Sequence, residues 1–171
     1  MFLAIKAALP LILQHITGHQ TLASLFLDGG IHLWAKGWLE SGRSLTEEAK
    51  SLCDNSRIEK LVESQVYSFH ASVVAESGDF EEALRYFEKS LEIFENHLRS
   101  VRDNALDSER ALLANAWNNL AGIHQALGNF NEAELYNKLL LDQEKKLDAR
   151  GRPMSHLLCL SYCSMAAIYA G

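Results

Sequence analysis

Residues that end helices or cross-link the chain are few in this sequence. Pro10 and Pro153 are the two prolines among 171 residues, runs of β-branched residues are scarce, and good helix formers such as Ala, Leu and Glu are abundant. Three cysteines, an odd and sparse set, do not make a disulfide framework, and no Asn-x-Ser/Thr glycosylation acceptor occurs. These features predict an α-helical protein in a reducing compartment and therefore a cytoplasmic location.

Positive charge is also scarce, with 16 Lys and Arg against 22 Asp and Glu and a formal net charge of -6. An acidic chain gains nothing from neutralising phosphates, so nucleic acid is not an expected partner. The sequence has no Gly-x-Ser-x-Gly motif, no His-Glu-x-x-His motif and no glycine-rich phosphate loop after a strand. We therefore expect no enzymatic activity and no cofactor.

An apolar stretch opens the chain, but it lacks the features of a targeting segment. Lys6 falls inside the stretch rather than ahead of it, and no small-x-small cleavage site follows. The stretch is too short, and too polar at Lys6 and Gln14, to span a bilayer. We predict an apolar helix over residues 1–19 that packs on the helices that follow, and no membrane association.

Internal similarity is the strongest signal in the sequence. Two segments that read Gly, Asp or Asn, Phe, x, Glu, Ala lie 50 residues apart. Gly37 takes the glycine position of a weaker copy, 41 residues before Gly78, and Tyr162 belongs to a later copy, 45 residues after Trp117. The positions shared by the two best copies are Gly78 and Gly128, Asp79 and Asn129, Phe80 and Phe130, Glu82 and Glu132, and Ala83 and Ala133.

Each copy is predicted to be two antiparallel helices joined by a tight turn. Glycine supplies the left-handed backbone that ends the first helix, and the Asp or Asn after it caps the second helix in a capping-box arrangement. Small residues let the helices approach closely, an aromatic residue fills the space between units, and the units must stack to bury their apolar faces. The small residues are Gly30, Ala71, Ala121 and Ala166 in the first helices and Gly42, Ala49, Ala83 and Ala133 in the second, and the aromatic residues are Phe26, Tyr67, Trp117 and Tyr162.

These residues resemble the tetratricopeptide repeat (TPR) family, and the resemblance covers residues 23–171. The family repeat has about 34 residues, and longer helices, as in kinesin light chain-like repeats, would explain the wider spacing here. The phrase Trp117-Asn118-Asn119-Leu120-Ala121 is similar to that subclass. The earliest copy is similar to TPR arrays that follow a nucleotide-binding (NB-ARC-type) module in fungal NOD-like receptors, although this chain has no Gly-x-x-x-x-Gly-Lys-Ser/Thr motif.

The resemblance implies an all-α, right-handed TPR-type solenoid with about three repeats and a truncated fourth. The array is predicted over residues 20–171, with units at about 23–56, 64–101 and 114–148 and a partial unit at 159–171. The predicted helices lie near 20–36, 39–54, 57–77, 80–101, 107–127, 130–148 and 154–169.

A polar, uncharged stripe on the first helix of the third unit is the best candidate for a binding surface. Helical spacing places Asn115, Asn118, Gly122 and Gln125 on one face, where amide groups can pair with a peptide backbone. In TPR arrays the first helices line the concave face, and in the kinesin light chain-like subclass the Asn matched by Asn119 faces that groove. The alternative is a face that contacts only water. The analogous stripe of the second unit contains Gln65, Ser68 and Ser72.

The resemblance implies an adaptor or regulatory module that binds a protein or peptide on this concave face. Net acidity favours a neutral or basic partner. Carboxylate-clamp TPRs place Lys, Asn and Arg where Leu27, Ser68 and Ser72 stand here, which argues against recognition of a C-terminal carboxylate. The alternative is self-assembly: the last helix is apolar on several sides, so either the array continues or copies associate end to end to form a homo-oligomer.

Two further groups carry possible chemistry, and we assign neither to a reaction. His156, Cys159 and Cys163 share one helix face, but a fourth zinc ligand is not evident, so no metal site is predicted. His70 and His124 lie within first helices without a paired Asp or Cys at useful spacing, and we interpret both as packing residues.

Overall fold

The computed structural model describes residues 18–101 and 107–148, and within these ranges all regular structure is α-helical. The predicted all-α fold is therefore confirmed. The predicted helix over residues 1–19 falls almost entirely outside the described residues, as do the partial fourth unit and the apolar helix on which end-to-end association depends. The six described helices are α1 (His19–Ala35), α2 (Leu39–Asn55), α3 (Lys60–Glu76), α4 (Phe80–Val101), α5 (Asp107–Ala126) and α6 (Phe130–Asp148).

Three similar turns join the helices into pairs, which we call unit 1 (α1 and α2), unit 2 (α3 and α4) and unit 3 (α5 and α6). Gly37, Gly78 and Gly128 adopt φ angles of 78°, 84° and 77°, a region that a side chain disfavours. After the second turn, the Asp79 carboxylate accepts a hydrogen bond of 3.0 Å from the backbone N–H of Glu82, as the capping-box pattern predicts.

Small residues lie where the two helices of each unit meet. Ala83 and Ala133 are both fully buried, with no exposed surface. In unit 1, a Cβ atom added to Gly42 would lie 3.1 Å from the carbonyl oxygen of Gly30 and 3.2 Å from the backbone nitrogen of Trp34. The helices of unit 1 therefore approach closely enough that these two backbones are in direct contact.

The core is a series of clusters along the array rather than one centre, as expected when each unit packs mainly on its neighbours. Phe26 and Ala49 of unit 1 pack with Tyr67 of unit 2 in one buried cluster. A second cluster joins Phe87 of unit 2 to Leu120 of unit 3. Among the described helices, none has both the length and the hydropathy to cross a membrane.

Candidate functional site

An open groove crosses the first helices of all three units. Its volume is ≈ 370 Å³, which is within the range of ligand-binding clefts. Its floor is apolar, because Leu27 of α1 and Phe94 of α4 line it and are buried, with 6% and 2% of their surface exposed. Phe69 of α3 adds an aromatic ring, held edge-to-face against Trp34 with 5.9 Å between ring centroids. The groove therefore offers a preformed apolar surface.

A pair of serines fixes the base of the groove. The Ser64 hydroxyl lies 3.1 Å from the backbone carbonyl oxygen of Ser90, and the Ser90 hydroxyl donates to the carbonyl oxygen of Ser64 at 2.8 Å. Both residues are buried, so the reciprocal bonds satisfy hydroxyl groups that would otherwise be costly to bury. This contact holds α3 against α4 directly beneath the groove.

Amide and hydroxyl groups from units 2 and 3 line the groove above this floor. Asn119 of α5 and Ser68 of α3 approach across the groove, with 3.5 Å between Nδ2 and Oγ. The Ser72 hydroxyl donates to the carbonyl oxygen of Ser68 at 3.2 Å and keeps lone pairs for a ligand. The predicted binding residues that line the groove are Gln65, Ser68, Ser72, Asn115 and Asn119.

The other three predicted binding residues do not line this groove. Asn118, Gly122 and Gln125 are absent from its walls. The face of α5 that lines the groove instead carries Leu112, Asn115, Ala116 and Asn119. These four residues share one face of α5, but that face is rotated around the helix axis from the predicted stripe, so the stripe and the groove overlap only at Asn115.

Sequence reasoning missed several groove residues, although one signal could have found them. Asp28, Phe69 and Asn119 occupy equivalent positions of units 1, 2 and 3, at the offsets of 41 and 50 residues that relate the repeats. All three line the groove. Copying the position of Asn119 back through the repeat would therefore have identified Asp28 and Phe69.

A family model described as tetratricopeptide repeat matches residues 71–99 and 113–142. The two matches fall on units 2 and 3, and each includes a turn glycine and the alanine that follows it in the second helix. Units 2 and 3 are tetratricopeptide repeats. A comparison with curated proteins finds no match to the sequence. The closer likeness to kinesin light chain-like repeats and to receptor-linked TPR arrays stays a prediction.

His70 of α3 and His124 of α5 both pack against aromatic rings. His70 stacks edge-on against Tyr86 with ring centroids 4.7 Å apart, and His124 stacks on Tyr136 at 5.6 Å. Both histidines are buried. Burial, aided by nearby Lys50, lowers the pKa of His70 to about 4, so its imidazole is neutral near pH 7.

Two other side chains that could carry chemistry, Cys53 and Glu76, lie in units 1 and 2. Cys53 is buried, and burial raises the pKa of its thiol to about 11, so it is not a thiolate at neutral pH. Glu76 is exposed. No group of three or more His, Cys, Asp or Glu within the described ranges is arranged to hold a metal ion. The cluster of His156, Cys159 and Cys163 lies outside those ranges.

Proposed function

We propose that this chain is an adaptor or regulatory module that holds a peptide segment of a protein partner in the groove across α1, α3 and α5. TPR repeats generally mediate protein–protein interaction. One observation supports the proposal for this site: amide and hydroxyl groups of units 2 and 3 face the same open cleft, above an apolar floor. This combination suits a peptide, because an apolar surface can take a side chain while the polar groups pair with the backbone.

The polar groups favour an extended peptide over a helical one. A helix satisfies its own backbone hydrogen bonds, whereas an extended segment leaves each N–H and C=O group in need of a partner. Each amide side chain, such as Asn119 or Gln65, offers two donors and one carbonyl acceptor. A peptide that crosses α5 and α3 would therefore exchange hydrogen bonds to water for bonds to these amides.

The first prediction compares two neighbouring asparagines of α5. Asn119 lines the groove and Asn118 does not. A peptide selected from a random phage-displayed library against the purified chain should bind the Asn119→Ala variant about five- to thirtyfold more weakly, because loss of a hydrogen-bonding amide costs about 1–2 kcal/mol. Fluorescence anisotropy of the labelled peptide measures the change in Kd.

Asn118→Ala is the matched control, since it removes the same side chain from the same helix. We expect it to leave the Kd within about twofold of the unsubstituted chain, as substitutions outside a binding site do. Melting curves of both variants separate loss of binding from loss of folding. If no library peptide binds, or if both variants bind equally, the groove is not the docking site.

A further inference from the structure

Charge is distributed unevenly along the groove. Among the described residues that line it, Asp28 is the one ionisable side chain, and none is Lys, Arg or His. Asp28 is exposed, and no cation of the described ranges lies within ion-pair distance of its carboxylate. A single anionic group therefore stands at the α1 end of the groove, while uncharged amides occupy the α5 end.

The charge is specific to unit 1. The positions equivalent to Asp28 in units 2 and 3 carry Phe69 and Asn119, which are uncharged. One helical turn after Asp28, on the same side of α1, Ile31 also lines the groove with 41% of its surface exposed. An exposed carboxylate next to an exposed aliphatic side chain suits a Lys or Arg of a ligand, since the stem of such a side chain packs on apolar surface while its head group stays polar.

Resting on the function proposed above, we propose that the partner is a basic-apolar peptide, bound in an extended conformation. Its Lys or Arg lies beside Asp28 on Ile31, and an aliphatic or aromatic side chain lies on the floor formed by Leu27, Phe69 and Phe94. The amides of α5 hold the backbone on the other side. An acidic segment is disfavoured, because it would meet the carboxylate of Asp28 and a chain whose net charge is -6.

The test uses peptides selected from the random library by the full chain. Selected peptides should share one Lys or Arg and a neighbouring large apolar residue. Asp28→Asn should raise the Kd of a selected peptide about two- to fivefold, because it removes an exposed ion pair. The same peptide with its basic residue changed to Gln should bind the unsubstituted chain and the Asp28→Asn variant equally, which closes a double-mutant cycle.

Salt and a second aspartate provide the controls. The effect of Asp28→Asn should shrink between about 0.05 M and about 1 M salt, because added salt screens exposed charges. Asp142→Asn removes an exposed carboxylate of α6 that does not line the groove, and it should leave the Kd unchanged.

The outcomes separate this inference from the proposed function. The basic-apolar assignment is wrong if the selected peptides are acidic or uncharged, or if Asp28→Asn leaves their affinity unchanged. If Asn119→Ala still weakens their binding in that case, the groove remains the docking site. If neither Asp28→Asn nor Asn119→Ala affects binding, both proposals fail.

Discussion

At the scale of single residues, His70 shows how packing within the array changes the pKa of a side chain. Its ring is buried between units 1 and 2, against Tyr86 and near the charged groups of Arg43, Lys50 and Asp54. Its Nδ1 atom has no hydrogen-bond partner within the described ranges. The equivalent position of unit 3 is Leu120, which is fully buried. The site therefore accommodates a neutral side chain and disfavours a charged one.

This arrangement predicts a pH-dependent stability. The pKa of His70 falls from 6.5 in the unfolded chain to about 4 in the folded one, mainly through burial. Between these values the unfolded state binds more protons, so the free energy of unfolding should fall as the pH falls from about 6.5 to about 4, by at most about 1.4 kcal/mol per pH unit. Above pH 7 the contribution is constant.

Urea denaturation of the unsubstituted chain and of His70→Leu across this pH range checks the prediction. The variant should show a flatter dependence, because leucine does not titrate and unit 3 already carries Leu120 at this position. Parallel curves for the two proteins would show that His70 does not control the change.

At the scale of helices, the same residue type has opposite roles in different units. Gly42 lies against the backbone of α1, where an added Cβ would meet the oxygen of Gly30 at 3.1 Å. Gly122 of α5 is exposed, and an added Cβ would meet nothing within 4 Å beyond its chain neighbours and the backbone of its own helix. Helix propensity favours alanine at both positions by about 1 kcal/mol. Packing therefore decides whether each Gly→Ala substitution stabilises or destabilises the chain.

We therefore expect Gly42→Ala to destabilise the chain by about 1–3 kcal/mol, because α1 and α2 must move apart. Gly122→Ala should instead stabilise it by about 0.5–1 kcal/mol. Thermal unfolding followed by circular dichroism at 222 nm, a wavelength sensitive to helix content, compares the two. Equal effects of the two substitutions would mean that contact between the helices of unit 1 is not tight.

Helix ends could be read from the sequence, whereas the groove could be read only in part. Gly78 and Asp79 mark a turn through local chemistry, since one residue favours positive φ and the other caps a helix. The phase of α5 around its axis is not local, because it depends on how α5 packs on α3 and α4. The sequence pattern therefore did not show that the stripe that includes Asn118 lies apart from this groove, and the role of that stripe in binding stays a prediction. The apolar floor at Phe94 belongs to a second helix and has no signal in the pattern of first helices.

At the scale of the whole molecule, a polar network lies beside the apolar cluster at the junction of units 1 and 2. The Tyr67 hydroxyl donates to the Asp54 carboxylate at 2.5 Å, and Lys89 donates to the same hydroxyl at 2.7 Å. Partial burial works to raise the pKa of Asp54, but hydrogen bonds from Lys50 and Tyr67 outweigh it and hold the pKa below its usual range. In unit 3, the position equivalent to Lys89 is Leu139, which is exposed.

The groove across α1, α3 and α5 is one candidate docking surface of the described residues. Exposed large apolar side chains also lie elsewhere, among them a pair on α6, Leu135 and Leu139, with 55% and 38% of their surface exposed. The groove combines an apolar floor with hydrogen-bonding groups from separate units, whereas these leucines are a pair on a single helix. We therefore propose the groove as the docking surface.

Amide chemical-shift mapping of the isotopically labelled chain with a selected peptide tests that assignment most directly. Residues of the groove, including Gln65, Ser68 and Asn119, should show the largest changes in backbone amide shifts, and those on the exposed side of α6 should show little change. If the largest changes instead centre on Leu135 and Leu139, the groove is not where this protein binds its partner.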